Sequence, residues 1–149
     1  MFKFLDFSKK FKKNPNLKFK HLKLPKTEEE NLVFIKEDDK RLKLAKKQAL
    51  KDIDYFIDHL KEFSNEPKWT FSVKKHFVKN NKHEHMWVEI YSYKNGVFYG
   101  KIGNDPAVIK GLKYGEPVKV KKAEVDDWMF YDPRVKAHVG WYSTQKLLK

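Results

Sequence analysis

Three histidines cluster in the middle of the chain: His76, His83 and His85. If Asn80-Asn81 is the two-residue turn of a β-hairpin, His76 stands opposite His85, and His83, two residues from His85, shares their face. Three imidazoles on one face could hold zinc or another divalent ion and leave a coordination position open. The same face carries Lys74, Trp87, Glu89 and Tyr91, so it also reads as a polar sheet surface on which histidines pack against rings. His83-Glu84-His85 spaces its histidines for a strand, whereas a zinc-protease helix needs them four apart. The reading therefore assigns no metal and no cofactor.

Two carboxylate groups invite the same scrutiny. Glu84 falls on the core face beside the turn, opposite Phe77, where it must bond backbone amides or meet a cation from another strand. Asp126 and Asp127 are neighbours on an extended segment and point to opposite faces, so they do not form a catalytic dyad with each other. One of them is expected to cap the turn after Lys121-Lys122, while Trp128 fills the core. No GxSxG elbow, no GxxxxGK[ST] loop and no GxGxxG occurs, which removes the usual geometries of acyl transfer and nucleotide chemistry. Zero cysteines remove disulfides and thiol catalysis. The balance favours a non-enzymatic protein. Trp87, Tyr91 and Tyr93, with Trp141, are expected on the surface beside the histidines, and rigid rings there suit a protein interface. The partner-binding set is therefore His76, His83, His85, Trp87, Tyr91 and Tyr93.

Positioning these residues requires elements the hydropathy pattern supplies. Residues 39–63 place Leu42, Ala45, Ala49, Ile53, Phe56, Leu60 and Phe63 at spacings of three and four, which predicts one long amphipathic helix capped by Asp38 or Asp39 and stopped near Pro67. From Trp69 the period becomes two, giving the first hairpin, with Val73 facing Val88 and Lys75 facing Met86. A second hairpin turns at Lys94-Asn95-Gly96. A three-residue loop there keeps Phe98 and Ile102 on the core face, opposite Ser92 and Val88. Asp105, Pro106 and Gly111 suggest a short helical segment. Strands then follow at Val118–Val120, Val125–Phe130 and His138–Tyr142, and Ser143 or Thr144 caps a last turn through Leu147-Leu148. The expected fold is α+β: a helix packed on a curved antiparallel sheet of five to six strands.

The 149 residues carry 33 basic and 20 acidic side chains, a net charge of +13. Only Arg41 and Arg134 are arginines, and phosphates and base edges are preferentially read by guanidinium, so the charge argues only weakly for nucleic acid. Residues 1–38 read as a basic extension, with an edge strand near Leu17–Leu24 and an acidic patch at Glu28-Glu29-Glu30. No apolar run approaches the roughly 20 residues of a spanning helix, and no secretory signal is visible, so a cytoplasmic location is expected.

Glu84-His85-Met86-Trp87-Val88, Gly100-Lys101-Ile102-Gly103-Asn104-Asp105-Pro106, Gly115-Glu116-Pro117-Val118, Asp127-Trp128-Met129 and Gly140-Trp141-Tyr142-Ser143-Thr144 form an ordered series. In order and spacing it resembles the bacterial YegJ-like family, domain of unknown function 2314, over about residues 39–149. The family pattern usually has a second glycine where this chain has Trp141. The resemblance implies a helix on a bent antiparallel sheet and brings no settled activity; small domains of this sort act in some cases as immunity proteins beside toxins. Three readings follow: a small cytoplasmic protein-binding module, immunity-type or otherwise; a single-stranded nucleic-acid-binding protein; and a metal-dependent enzyme using the histidine cluster.

Overall fold

The computed structural model describes residues 40–143. Two helices, α1 (Lys40–Lys51) and α2 (Ile53–Phe63), precede six strands: β1 (Thr70–Lys79), β2 (Lys82–Lys94), β3 (Val97–Ile102), β4 (Pro117–Lys121), β5 (Val125–Asp132) and β6 (Ala137–Gly140). The strands form one antiparallel sheet in the order β4-β3-β2-β1-β5-β6. The expectations for residues 1–39, and for the terminal turn through Leu147-Leu148, lie outside the described residues.

The single long helix divides at Asp52. The apolar stripe is as the spacing predicts, with Ala45, Ala49, Ile53, Phe56, Ile57 and Leu60 buried against the sheet. Asp52 leaves the helical backbone, at φ −102° and ψ 9°. Its carboxylate receives the Tyr142 hydroxyl at 2.7 Å and the Gln48 amide at 2.6 Å. One turn earlier, the Trp128 indole donates to the Ala49 carbonyl at 2.9 Å. Residues distant in sequence thus grip the helix at its break, and no helical periodicity could announce that.

The first hairpin has the predicted register: Val73 pairs Val88, Lys75 pairs Met86 and His76 pairs His85. Its turn residues Asn80 and Asn81 both adopt positive φ, as a type I′ turn requires. The second hairpin differs. Asn95 (φ 52°) and Gly96 (φ 80°) form a two-residue turn, with Lys94 paired to Val97 and Phe98 facing Tyr93, not Ser92. A bulge between Ile90 and Ser92 restores the phase, so that Val88 still meets Ile102 and both Phe98 and Ile102 are fully buried. A second bulge, at Asp126, lets Lys74 face Asp127 while Lys75 faces Val125.

The expected helical segment after Pro106 is an irregular loop. The reason is Glu84, whose carboxylate accepts the amides of Ala107, Val108 and Ile109 at 2.6, 2.9 and 3.0 Å. Three successive N–H groups turned onto one carboxylate replace intrahelical bonds and bury Ile109 under the hairpin. The turn after β4 is capped by Glu124, which accepts the Lys121 amide at 2.9 Å; neither Asp126 nor Asp127 performs that task.

Candidate functional site

The pairing of β1 with β5 stops at Lys75, and that of β2 with β3 begins at Val88. Between those points β1 and β2 continue as a two-stranded ribbon that outruns both neighbouring strands. Its face away from the helices carries the three histidines. His76 and His85 lie with ring centroids 4.5 Å apart and planes 8° from parallel. His76 Nε2 and His83 Nδ1 share a hydrogen bond of 2.9 Å. At the base of the ribbon, His85 Nδ1 is 2.9 Å from the Asp126 carboxylate, whose other oxygen meets Lys46 of α1 at 3.1 Å.

Asp126 owes this reach to its bulge, which swings it out of the regular alternation toward both the ribbon and the helix. Burial pushes its carboxyl upward, but the His85 hydrogen bond and the Lys46 charge outweigh it and hold Asp126 below the ordinary carboxylate range. An ionised Asp126 accepts a hydrogen bond from His85 Nδ1 and so fixes the orientation of that ring. Stacked rings with near-parallel planes do not aim their nitrogens at one point, and among the described residues no three histidine or carboxylate side chains gather around a metal position. The arrangement is a ladder of rings, tied to the sheet through one carboxylate.

Not every residue of the expected contact set shares that surface. His83 and His85 are exposed, His76 is half-buried, and Tyr91 is 57% exposed at the β2 bulge. Trp87, expected at the surface, is buried at 4%, with the Lys74 ammonium 5.5 Å from its ring centroid. Tyr93 is shifted to the helix-facing side by the same bulge and packs on Phe98 at 4.7 Å. Trp141 is likewise buried. The bulge reverses the phase of Tyr93, whereas Trp87 keeps the outward phase, opposite Lys74, and is buried there by packing.

Below the ladder lies a cluster that the sequence reading missed. Lys74 of β1 faces Asp127 of β5, and Asp127 accepts the Ser143 hydroxyl at 2.6 Å together with the amides of Tyr142 and Ser143, both at 2.9 Å. The Lys74 ammonium stands 3.4 Å from the Ser143 hydroxyl oxygen. Burial lowers the Lys74 pKa and raises that of Asp127, while their mutual attraction opposes both shifts. A lysine so placed against a serine can in principle activate it. Here the hydroxyl proton points at Asp127 and Ser143 is 3% exposed, so the cluster works as a latch that fixes the first helical residues after β6. The only signal in the sequence was that Lys74 and Asp127 sit on outward phases of strands whose pairing could not be read locally.

A family model described as an uncharacterized protein conserved in bacteria (DUF2314) matches residues 39–149. The chain belongs to the DUF2314 family. Among curated proteins, the uncharacterized protein YegJ of Escherichia coli K12 is 34% identical over 93 residues, covering 62% of this chain and 59% of YegJ. A putative ankyrin repeat protein of Neisseria meningitidis serogroup B is 34% identical over 47 residues, 32% of this chain and 19% of that protein. The matches thus span less than two thirds of the length of either relative. No solved structure matches the chain. In this DUF2314 chain the residue at the usual second-glycine position, Trp141, has φ +70°, the left-handed conformation that glycine adopts without strain. Its amide donates to the Trp128 carbonyl at 2.7 Å. Gly140 before it has φ +98°, and a Cβ there would lie 2.3 Å from the same carbonyl oxygen. No helix among the described residues is long and apolar enough to cross a membrane.

Proposed function

We propose that this DUF2314 chain is a small non-enzymatic protein-binding module of the cytoplasm, of the kind an immunity protein represents, with the histidine ladder of the β1–β2 ribbon as its contact surface. The observation that carries the reading is the projecting ribbon itself. It presents His83 and His85 and, at 58% exposure, Val78, on a ladder whose rings are already ordered. Rings held in place before contact lose little conformational freedom on binding, which is what a compact interface needs. Tyr91 extends the surface toward the centre of β2, and Trp87 supports it from beneath. The likeness to a protein named for ankyrin repeats, whose stacked units build binding surfaces, is in keeping with this reading.

The test is partner capture from cells that express the chain naturally. A His83→Ala/His85→Ala/Tyr91→Ala variant replaces surface groups and should melt within a few degrees of the parent. It should lose the proteins that the parent retains. A folded triple variant that retains the same proteins at the same yield would show that this face is not the contact surface.

A further inference from the structure

The ribbon carries more basic groups than the histidines, and its carboxylates are already committed elsewhere. Lys79 and Lys82 pair across the strands next to the Asn80-Asn81 turn, and both are exposed. The one acid on the ribbon, Glu84, is spent on three backbone amides. Asp126 at its base is shared by His85 and Lys46, and Glu124 meets the Lys121 amide and, at 3.8 Å, Lys75. Among the described residues no carboxylate pairs with Lys79 or Lys82. The cationic surface is therefore the face of the tip that also bears Glu84, where Lys79 reaches over Gly111 and Val108, at 40% exposure in the loop that Glu84 holds, supplies an apolar spot, while Val78 lies on the histidine face.

We infer that the partner of this ribbon is an acidic polypeptide surface, whose aspartates and glutamates meet Lys79 and Lys82 while an apolar group covers Val108. The inference rests on the binding-module reading, extends the contact from the histidine face around the tip of the ribbon, and adds the chemistry of the partner to it. Charge complementarity of this kind steers encounter and sets specificity. A protein partner is favoured over nucleic acid because the ribbon has no arginine to fork a phosphate.

The experiment titrates the full-length, isotope-labelled chain with poly-L-glutamate at low salt and follows the backbone amides. Shifts should concentrate on residues 75–85. Two charge-reversed variants carry the same net charge: Lys79→Glu/Lys82→Glu on the ribbon, and Lys119→Glu/Lys121→Glu on β4. The first should weaken binding roughly tenfold more than the second, as a local complementary contact demands. Equal losses in both would mean that the overall positive field alone attracts the polymer, and the inference fails. Shifts centred away from the ribbon overturn it as well. Oligothymidylate is titrated in parallel, and tighter binding of it to the ribbon would replace the acidic protein by nucleic acid. None of these failures touches the capture experiment with the His83, His85 and Tyr91 variant, so loss of the acidic partner and loss of the contact surface remain separable.

Discussion

The Asp127 carboxylate holds Ser143 twice, through its hydroxyl at 2.6 Å and its amide at 2.9 Å, in a site where neither residue reaches solvent. With the Tyr142 amide also bound, one carboxylate of β5 organises the chain beyond β6. Asp127→Asn would turn an amide N–H₂ toward donors that need an acceptor. It should cost about 2–4 kcal/mol in urea unfolding, since a buried donor left without a partner is penalised by its full desolvation. Ser143→Ala removes one donor and keeps the acceptor, and should cost about 1 kcal/mol. A reversed order would contradict the latch.

Glu84 makes a comparable latch on the other face of the sheet. Glu84→Gln retains one carbonyl oxygen for three amides, so the Ala107–Ile109 segment should loosen. Amide hydrogen exchange at Ala107, Val108 and Ile109 should quicken roughly tenfold or more while β1 and β5 amides hold their rates, as expected for a local opening. Unchanged exchange at those three positions would remove the role assigned to Glu84.

Trp141 adopts a left-handed conformation despite its bulk, at a cost of about 1–2 kcal/mol. Its indole is 2% exposed, so shortening it forfeits packing in either variant. Trp141→Gly recovers the backbone strain and Trp141→Ala does not. The glycine variant should therefore be the more stable of the two by about 1 kcal/mol, the reverse of the usual order of these residues. Gly140→Ala should abolish folding, because its Cβ would also come within 2.5 Å of the Trp128 ring.

Acid should destabilise the fold through two named carboxyls. Asp126 is held low by His85 and Lys46, and Asp132 by the Arg134 guanidinium, in each case against the upward push of burial. A carboxyl lowered by folding contributes stability above its unfolded value of about 4 and loses it as pH falls through the folded value. The difference in urea midpoint between the parent and Asp126→Asn/Asp132→Asn should be largest near pH 5 and shrink below pH 3. A difference that does not change across that range would show that ionisation of these groups contributes nothing.

The belonging to DUF2314, the α+β class, the apolar stripe of the helices and the β1–β2 register were all legible in the residues. Each depends on chain neighbours. A helix stripe repeats every three or four positions, and Asn80-Asn81 sets the pairing of the strands it joins, so His76 had to face His85. What the sequence left undecided depends on contacts between distant segments. The bulge at Tyr91 turns Tyr93 inward, the bulge at Asp126 sends its carboxylate to His85 and Lys46, and Tyr142 reaches Asp52 to divide the helix. One inserted residue inverts every later side chain on a strand, and only the pairing partner across the sheet determines where that residue goes. For that reason local pattern could bring the histidines together, while tertiary packing alone decided that Trp87 lies buried beneath Lys74.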